Sequence, residues 1–529
     1  MKKRIDLKNW HFKIKSLDFE TQVTLPHTWN VDDNKAVQLY RGEAEYSTVV
    51  GLEAPKGKKI FIYFGAAYHT ANVYVNDRLA GIHTGSGDTP FEFDITDLVL
   101  AGRNTLRVTV DNHSKDEMLP HRLDYDWADD GGLIRGVSLT VCDRTDLFNL
   151  QVRYKITEMN EKLCSGVLKL FITALPQPVN IRVTDLQTHE TVLTAAASSE
   201  GSIELPFQNL KLWDCLNPNL YVVCVSTQND SISKRTGFRT IEVKGTKVLL
   251  NGREIYLKGC EWMPGSHPDY GMAEPLAHSI KCLSQLKAAG CIFTRFHWQQ
   301  DTSLFDWCDE NGLLVQEEIP YWGYPKEATP LQLKIAKMQA GEMVHYHSHH
   351  PSVICWGVGN ELGGEFPSTI DYVKQMYAYF KSLDSSRLVN YVSNSVCRDT
   401  NIDLDDAAMY GDIAMWNEYL GLWQPCDDVE GVIRRTYAKF GNMPSLVSEF
   451  GLCEPAFSGG DQRRTEILLE RIPIYKSLPN MAGYVWFSLN DYRTHCGESG
   501  EGKLKQRIHG STDLYGKEKP SYRIFSEIL

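Results

Sequence analysis

Up to residue 143, apolar and polar positions alternate in short runs, at 59–64, 71–75 and 105–111, separated by Gly, Asn and Asp turns. That period predicts an all-β sandwich over residues 1–143. A second β-rich block, 144–240, has strand candidates at 166–173, 180–184 and 220–226 and the size of one immunoglobulin-like sandwich. Neither block carries a long amphipathic helical pattern.

After about Thr240 the texture changes. Aromatic and β-branched runs now alternate with helical spacing such as Val429, Ile433, Tyr437 and Phe440. Eight strand candidates follow in order, at 255–261, 291–297, 313–319, 353–360, 388–393, 412–418, 445–450 and 483–489. With helices between them, they predict a C-terminal (β/α)8 barrel over 241–529. The whole chain thus reads as multidomain: a jelly-roll-like sandwich, an immunoglobulin-like sandwich and the barrel.

Length and composition agree with this division. A chain of 529 residues exceeds what one hydrophobic core organises. Its 42% hydrophobic and 23% charged residues leave no tract that should stay unfolded. A net charge of −12 with no Lys/Arg cluster argues against a nucleic-acid partner. The 13 cysteines are scattered, without a Cys-x-x-Cys pair, so neither a disulfide framework nor a zinc ribbon is indicated and most should be small buried hydrophobes. No run is long and apolar enough to span a membrane. Met1 to Ile14 lacks the continuous apolar core of a secretory signal, and the expected location is the cytoplasm unless a leader has been removed.

Barrel enzymes place their chemistry where strands end at the C-terminal face. The residues closing these runs include Glu261, Arg295, His297, Glu318, Asn360, Glu361, Tyr419, Glu449 and Trp486. That rim is rich in carboxylates and aromatics and suits a neutral, polyhydroxylated substrate. Cleaving a glycosidic bond needs a proton for the leaving oxygen and a negative charge facing the anomeric carbon, so two carboxyl groups in different environments suffice. Glu361 and Glu449 are the best pair, closing the fourth and seventh strands beside small residues, and a retaining enzyme would hold them about 5–5.5 Å apart. A lone Glu is usually an exposed rim carboxylate; the apolar strands and glycines around both argue otherwise.

Other motifs have plainer readings. Gly357-Val358-Gly359 begins like a dinucleotide fingerprint, but Leu362 stands where the third glycine belongs. His345, His347, His349 and His350 lack the Glu a zincin needs and read as a surface cluster at a helix end. Tyr419 and Arg295 are candidates to hold the nucleophile ionised, and Trp486 to stack on a sugar ring, against bland roles in an interface, an ion pair and core packing.

These residues resemble glycoside hydrolase family 2, which contains β-galactosidases, β-glucuronidases and β-mannosidases. The likeness covers nearly the whole chain. In the first block it rests on Leu25-Pro26-His27-Thr28-Trp29-Asn30, Val73-Tyr74-Val75-Asn76-Asp77, Pro90-Phe91-Glu92-Phe93-Asp94 and Gly132-Leu133-Ile134-Arg135. In the second it rests on Leu212-Trp213-Asp214, Asn217-Pro218-Asn219-Leu220-Tyr221 and Gly237-Phe238-Arg239. In the barrel, His350-Pro351-Ser352 running to Gly359-Asn360-Glu361 resembles the family's acid/base motif and Ser448-Glu449-Phe450-Gly451 its nucleophile motif.

The resemblance implies Glu361 as acid/base, Glu449 as nucleophile, Asn360 on the substrate's 2-hydroxyl, Tyr419 orienting the nucleophile and Trp486 lining the subsite. It also implies that Asp126, on a loop from the first sandwich, touches the terminal sugar, beside Arg295 and His297 of the barrel. The second strand reads Arg295-Phe296-His297-Trp298 where galactosidases and glucuronidases have Ser-His-Tyr-Pro, so the sugar pocket should differ. The Asn-x-Lys pair with which glucuronidases hold a substrate carboxylate is replaced by Arg507-Ile508-His509-Gly510. No organic cofactor is implied; some relatives use a divalent metal, for which no ligand set is evident here. The expectation is a retaining exo-β-glycosidase, β-galactosidase first, with β-glucuronidase or β-mannosidase as alternatives and a non-catalytic carbohydrate-binding protein as the competing class. A homo-oligomer is expected by the same resemblance.

Overall fold

Strand burial separates the parts of the chain. The computed structural model describes residues 2–53, 57–122, 125–323, 327–398 and 403–529. In the first part, strands Lys58–Phe64 and Thr70–Val75 bury every second residue, the signature of a sheet with one face on a core. A six-stranded and a four-stranded sheet enclose Trp10, Phe12, Trp29, Tyr46 and Phe64. In the second part, a three-stranded and a four-stranded sheet enclose Leu150, Leu168, Ile181, Val223 and Phe238. Every strand candidate named from the sequence in these two parts falls on a strand.

The third part is a closed parallel barrel with its strands in chain order: β1 (Leu257–Cys260), β2 (Phe293–Phe296), β3 (Leu314–Glu318), β4 (Val353–Asn360), β5 (Leu388–Ser393), β6 (Ala414–Asn417), β7 (Ser445–Glu449) and β8 (Met481–Trp486). From β2 to β8 every strand residue is buried, because helices cover the outside while side chains fill the inside. That is why these runs lack alternation in the sequence.

The floor of the barrel is closed by a small antiparallel sheet, Ile241–Lys244, Lys247–Leu250 and Arg253–Glu254, whose Ile241, Val248 and Leu250 pack against Leu257, Phe293, Leu314 and Val485. Arg239, 2% exposed, fastens the second sandwich to that end by donating to the carbonyls of Pro351 (3.1 Å), Ser386 (3.0 Å) and Val353 (2.6 Å).

The histidine group is not a surface cluster. His345 is exposed, whereas His347, His349 and His350 are buried. His347 Nδ1 bonds the buried Glu317 and His350 Nδ1 bonds Asp309, since the helix Pro330–His347 runs its last turn into the barrel wall. Nine of the thirteen cysteines are buried thiols. Among the described residues, no helix is long and apolar enough to cross a membrane.

Candidate active site

The two carboxylates stand at the ends of β4 and β7. Glu449 is the last residue of β7, and Glu361 follows β4 directly. Glu361 has φ 58°, a left-handed conformation that costs a residue with a Cβ roughly 1–3 kcal/mol. Its surroundings hold it there: Asn360 N–H donates to Tyr321 O (2.8 Å), Glu361 N–H to Val392 O (2.9 Å) and Leu362 N–H to the Tyr391 hydroxyl (2.8 Å). The turn is fixed from both sides, by the loop after β3 and by β5, so the side chain's position is set by the barrel.

Glu449 sits among cations. Arg295 Nη1 donates to its Oε1 at 2.6 Å and the Tyr419 hydroxyl to its Oε2 at 2.9 Å. His297 Nε2 lies 3.4 Å from Oε1. The same fully buried guanidinium donates to Glu318 at 2.8 and 3.2 Å and to Glu261 at 3.1 Å. Gly357 makes room for this, since a Cβ there would lie 2.7 Å from Glu318 Cγ. Burial pushes the Glu449 carboxyl upward, but His297 and Arg295 outweigh it and hold the group well below the ordinary carboxylate range. Burial and Arg295 oppose a charge on His297, yet Glu261, Glu318 and Glu449 raise it to about 10. A protonated His297 donates through Nδ1 to Glu318 Oε1 (3.1 Å). The 3.2 Å approach of Arg295 Nη2 to that nitrogen is then two donors in contact, not a hydrogen bond.

Glu361 has the opposite environment. Burial first, then the negative charge of Glu449, lifts its carboxyl to about 7, against the pull of the Asn417 donor. Asn417, at the end of β6, donates Nδ2 to Glu361 Oε1 (2.7 Å) and to Asn360 Oδ1 (3.1 Å), and accepts from Ser448 Oγ (2.8 Å). Trp322 Nε1 donates to Glu361 Oε2 at 3.1 Å. With its oxygen occupied, Asn360 is left with a buried Nδ2 that has no partner among the described residues, a donor reserved for something that enters the site.

Both carboxylates line one cavity of about 250 Å³, near the small end of ligand clefts, roughly 300–1,000 Å³, and fitting one sugar ring. Its far wall combines two domains. Asp126, from the first sandwich, accepts from Arg507 Nη1 (2.7 Å) and the Tyr492 hydroxyl (3.0 Å). The neighbouring Trp127 stacks on His297, with centroids 5.5 Å apart. The ion pair Arg41–Asp129, exposed on its arginine side, and the buried pair Arg493–Asp130 brace this loop. His509 completes the wall; burial and then Arg507 hold it well below the usual histidine range, so it is neutral.

The match to known sequences follows the same three parts. The sugar-binding-domain model of glycosyl hydrolases family 2 matches residues 8–142, a second model of that family residues 148–239, and its TIM-barrel-domain model residues 241–477. The chain belongs to glycoside hydrolase family 2. A β-glucuronidase of Bacteroides fragilis is 28% identical over 84% of this chain and 67% of its own. A β-galactosidase of Thermoanaerobacterium thermosulfurigenes is also 28% identical, over 96% and 73%. A Formosa agariphila relative of 28% identity is matched over only 44% of its length, so the chain spans less than half of it. Among solved structures, the β-D-glucuronidase of Dictyoglomus thermophilum superposes with TM-score 0.88 over 99% of this chain and 96% of its own, at 21% identity, which shows the shared fold.

Of the residues singled out in the sequence of this family 2 protein, Glu361, Glu449, Tyr419, His297 and Asp126 line the cavity, and Arg295 and Asn360 lie directly behind it. Trp486 does not reach it. Its indole is buried, donates to Ser511 Oγ (3.0 Å) and packs edge-on to Phe450. The next residue, Phe487, takes the cavity side, as expected where consecutive strand residues point to opposite faces. Asn417 stands out in the sequence only as a neighbour of Tyr419, and Glu261 and Glu318 only as strand-closing residues. Trp322 and His509 lie on loops and Tyr492 and Arg507 on a short strand pair after β8; of the four, only Arg507 and His509 stand out in the sequence, within Arg507-Ile508-His509-Gly510.

Atoms of Glu261, His297 and Glu449 lie within 4.8 Å of one another and resemble a metal ligand set. A divalent cation does not fit there, because Arg295 Nη1 already bridges Glu261 and Glu449 as the cation of that site.

Proposed function

We propose that this protein hydrolyses terminal β-linked glycosides with net retention, Glu449 acting as nucleophile and Glu361 as acid/base. The observation that carries the reading is the divergence of two carboxyl groups facing one cavity: Glu361 lifted to about 7 and Glu449 held low. In the first step Glu449 attacks the anomeric carbon while Glu361 protonates the leaving oxygen. Forming the ester removes the charge of Glu449 that had helped hold the proton on Glu361, so Glu361 becomes a stronger acid and then, as a carboxylate, accepts a proton from water. Asn360 Nδ2 would meet the 2-hydroxyl.

For the sugar, the wall opposite Glu361 favours a neutral hexopyranoside, with a β-galactoside first. Asp126 and Arg507 cancel one another's charge and offer an acceptor and donors beside the Tyr492 phenol. A β-uronide is the second reading, favoured by the presence of Arg507 on that wall. Relatives of equal identity carry both names. A panel of aryl β- and α-glycosides (galactoside, glucuronide, mannoside, glucoside) decides the sugar, with Glu449→Gln beside the wild type. Release from one β-glycoside, with retained configuration by NMR and lost in the variant, is expected. Near-normal turnover by Glu449→Gln would remove the catalytic assignment.

A further inference from the structure

The chain has twelve tryptophans, all within the described residues. Nine are buried, Trp307 and Trp322 are half-buried, and Trp423 alone is exposed, at 49%. Burying an indole is among the larger single gains a fold can make, so its position matters. Trp423 stands on the lip of the catalytic cavity.

Its backbone is held firmly. The segment after β6 turns back at Gly421 (φ 79°), with Gly421 N–H donating to Gln424 O (2.8 Å) and Gln424 N–H to Tyr419 O (3.2 Å). The Gln424 side chain accepts from Tyr419 N–H (3.0 Å) and donates to Asn394 O (3.0 Å). The turn that presents Trp423 therefore begins with the tyrosine that binds Glu449. Phe457 braces the indole from one side, edge to face at 4.6 Å. The result is a fixed platform.

A second cavity, about 440 Å³, shares Arg398, Trp423 and Gln424 with the catalytic one and continues outward along Leu420, Pro425 and Val432. Together they form one groove that starts at the carboxylates. Direction follows from the strand order. The sugar wall of Asp126, Tyr492 and Arg507 belongs to the first sandwich and the segment after β8, whereas Arg398 follows β5, which pairs with the strand that leads to Glu361, and Trp423 follows β6, between β5 and the strand of Glu449. A group leaving from the anomeric carbon departs on the side of the acid that protonates it.

We infer that this groove is the aglycone site and that it selects a planar aromatic aglycone of fused-ring size, stacked on Trp423, in preference to a second sugar. The inference rests on the glycosidase reading above. A second sugar would need several hydrogen-bond partners, yet beyond Trp423 the lining is chiefly Leu420, Pro425, Cys426 and Val432, with Gln424 and Arg398 at the junction. Aromatic stacking on an exposed indole needs no such partners, and an aromatic ring matches this wall.

The test compares kcat/KM for three glycosides of one sugar, with naphthyl, methyl and glycosyl aglycones, in wild type, Trp423→Ala and Trp423→Phe. Using ratios removes the intrinsic difference between leaving groups. The expected result is that Trp423→Ala lowers the naphthyl-to-methyl ratio on the order of tenfold, mainly through KM, while Trp423→Phe, which keeps a ring, recovers most of it. An unchanged ratio overturns the inference and leaves the catalytic reading standing, as does a loss that falls hardest on the glycosyl aglycone. A wild type inactive on all three overturns both.

Discussion

Asn417 offers the most direct check on how this site sets its proton inventory. Replacing it by Leu keeps nearly the same volume, so water stays out, but removes the donor 2.7 Å from Glu361 Oε1. That donor stabilises the ionised form, because an N–H pointing at a carboxylate is worth more than one pointing at a neutral acid. Losing it raises the Glu361 pKa. A hydrogen bond to a buried charged group contributes roughly 1.5–3 kcal/mol, and one pKa unit corresponds to about 1.36 kcal/mol. Trp322 remains as a second donor and takes up part of the loss, so a shift of about one unit is expected. The assay is the pH profile of kcat/KM on an alkyl β-glycoside, whose poor leaving group makes proton donation limiting. In the wild type the alkaline limb should fall near pH 7; in Asn417→Leu it should move up to about 8. Turnover should also fall, since Asn360 loses the contact that aims its amide. An alkaline limb that stays put or moves down, in a variant that remains folded, refutes this account of Glu361 as the proton donor.

Further consequences follow from the same network. Arg295→Met leaves Glu261, Glu318 and Glu449 buried without their shared cation; it should cost about 3–5 kcal/mol of stability, read by denaturant unfolding, and move the acid limb of activity upward. His297 has its pKa raised to about 10 on folding, so its contribution to stability is fully present below its unfolded value, about 6.5, and is lost as pH rises toward 10. The thermal unfolding temperature should therefore fall between pH 7 and 10, and a His297→Gln variant should show a flatter dependence. Arg239→Ala removes the donor to the carbonyls of Pro351 and Ser386 and one of two donors to that of Val353, which keeps Arg387; unfolding should become measurably easier, and unchanged stability would mean the second sandwich is held elsewhere.

Much of this protein is written locally in its sequence. Alternation with period two marks both sandwiches, and eight runs rich in apolar residues without alternation mark the barrel, because a strand covered on both sides has no face turned to solvent. Glu361 and Glu449 were legible for the same reason: each is a carboxylate ending such a run, beside glycines that make room. What the sequence could not supply is whatever depends on residues far apart in the chain meeting in space. Asp126 meets Arg507 and Tyr492 only because the first sandwich packs on the barrel mouth. Trp486 and Phe487 exchange the roles their order suggests, since strand orientation, invisible in a fully buried run, decides which side chain faces the cavity. The proton states of the two glutamates belong wholly to the tertiary structure. Identical side chains are driven apart by one buried arginine, one histidine and one asparagine, carried by two strands, β2 with the residue after it and β6.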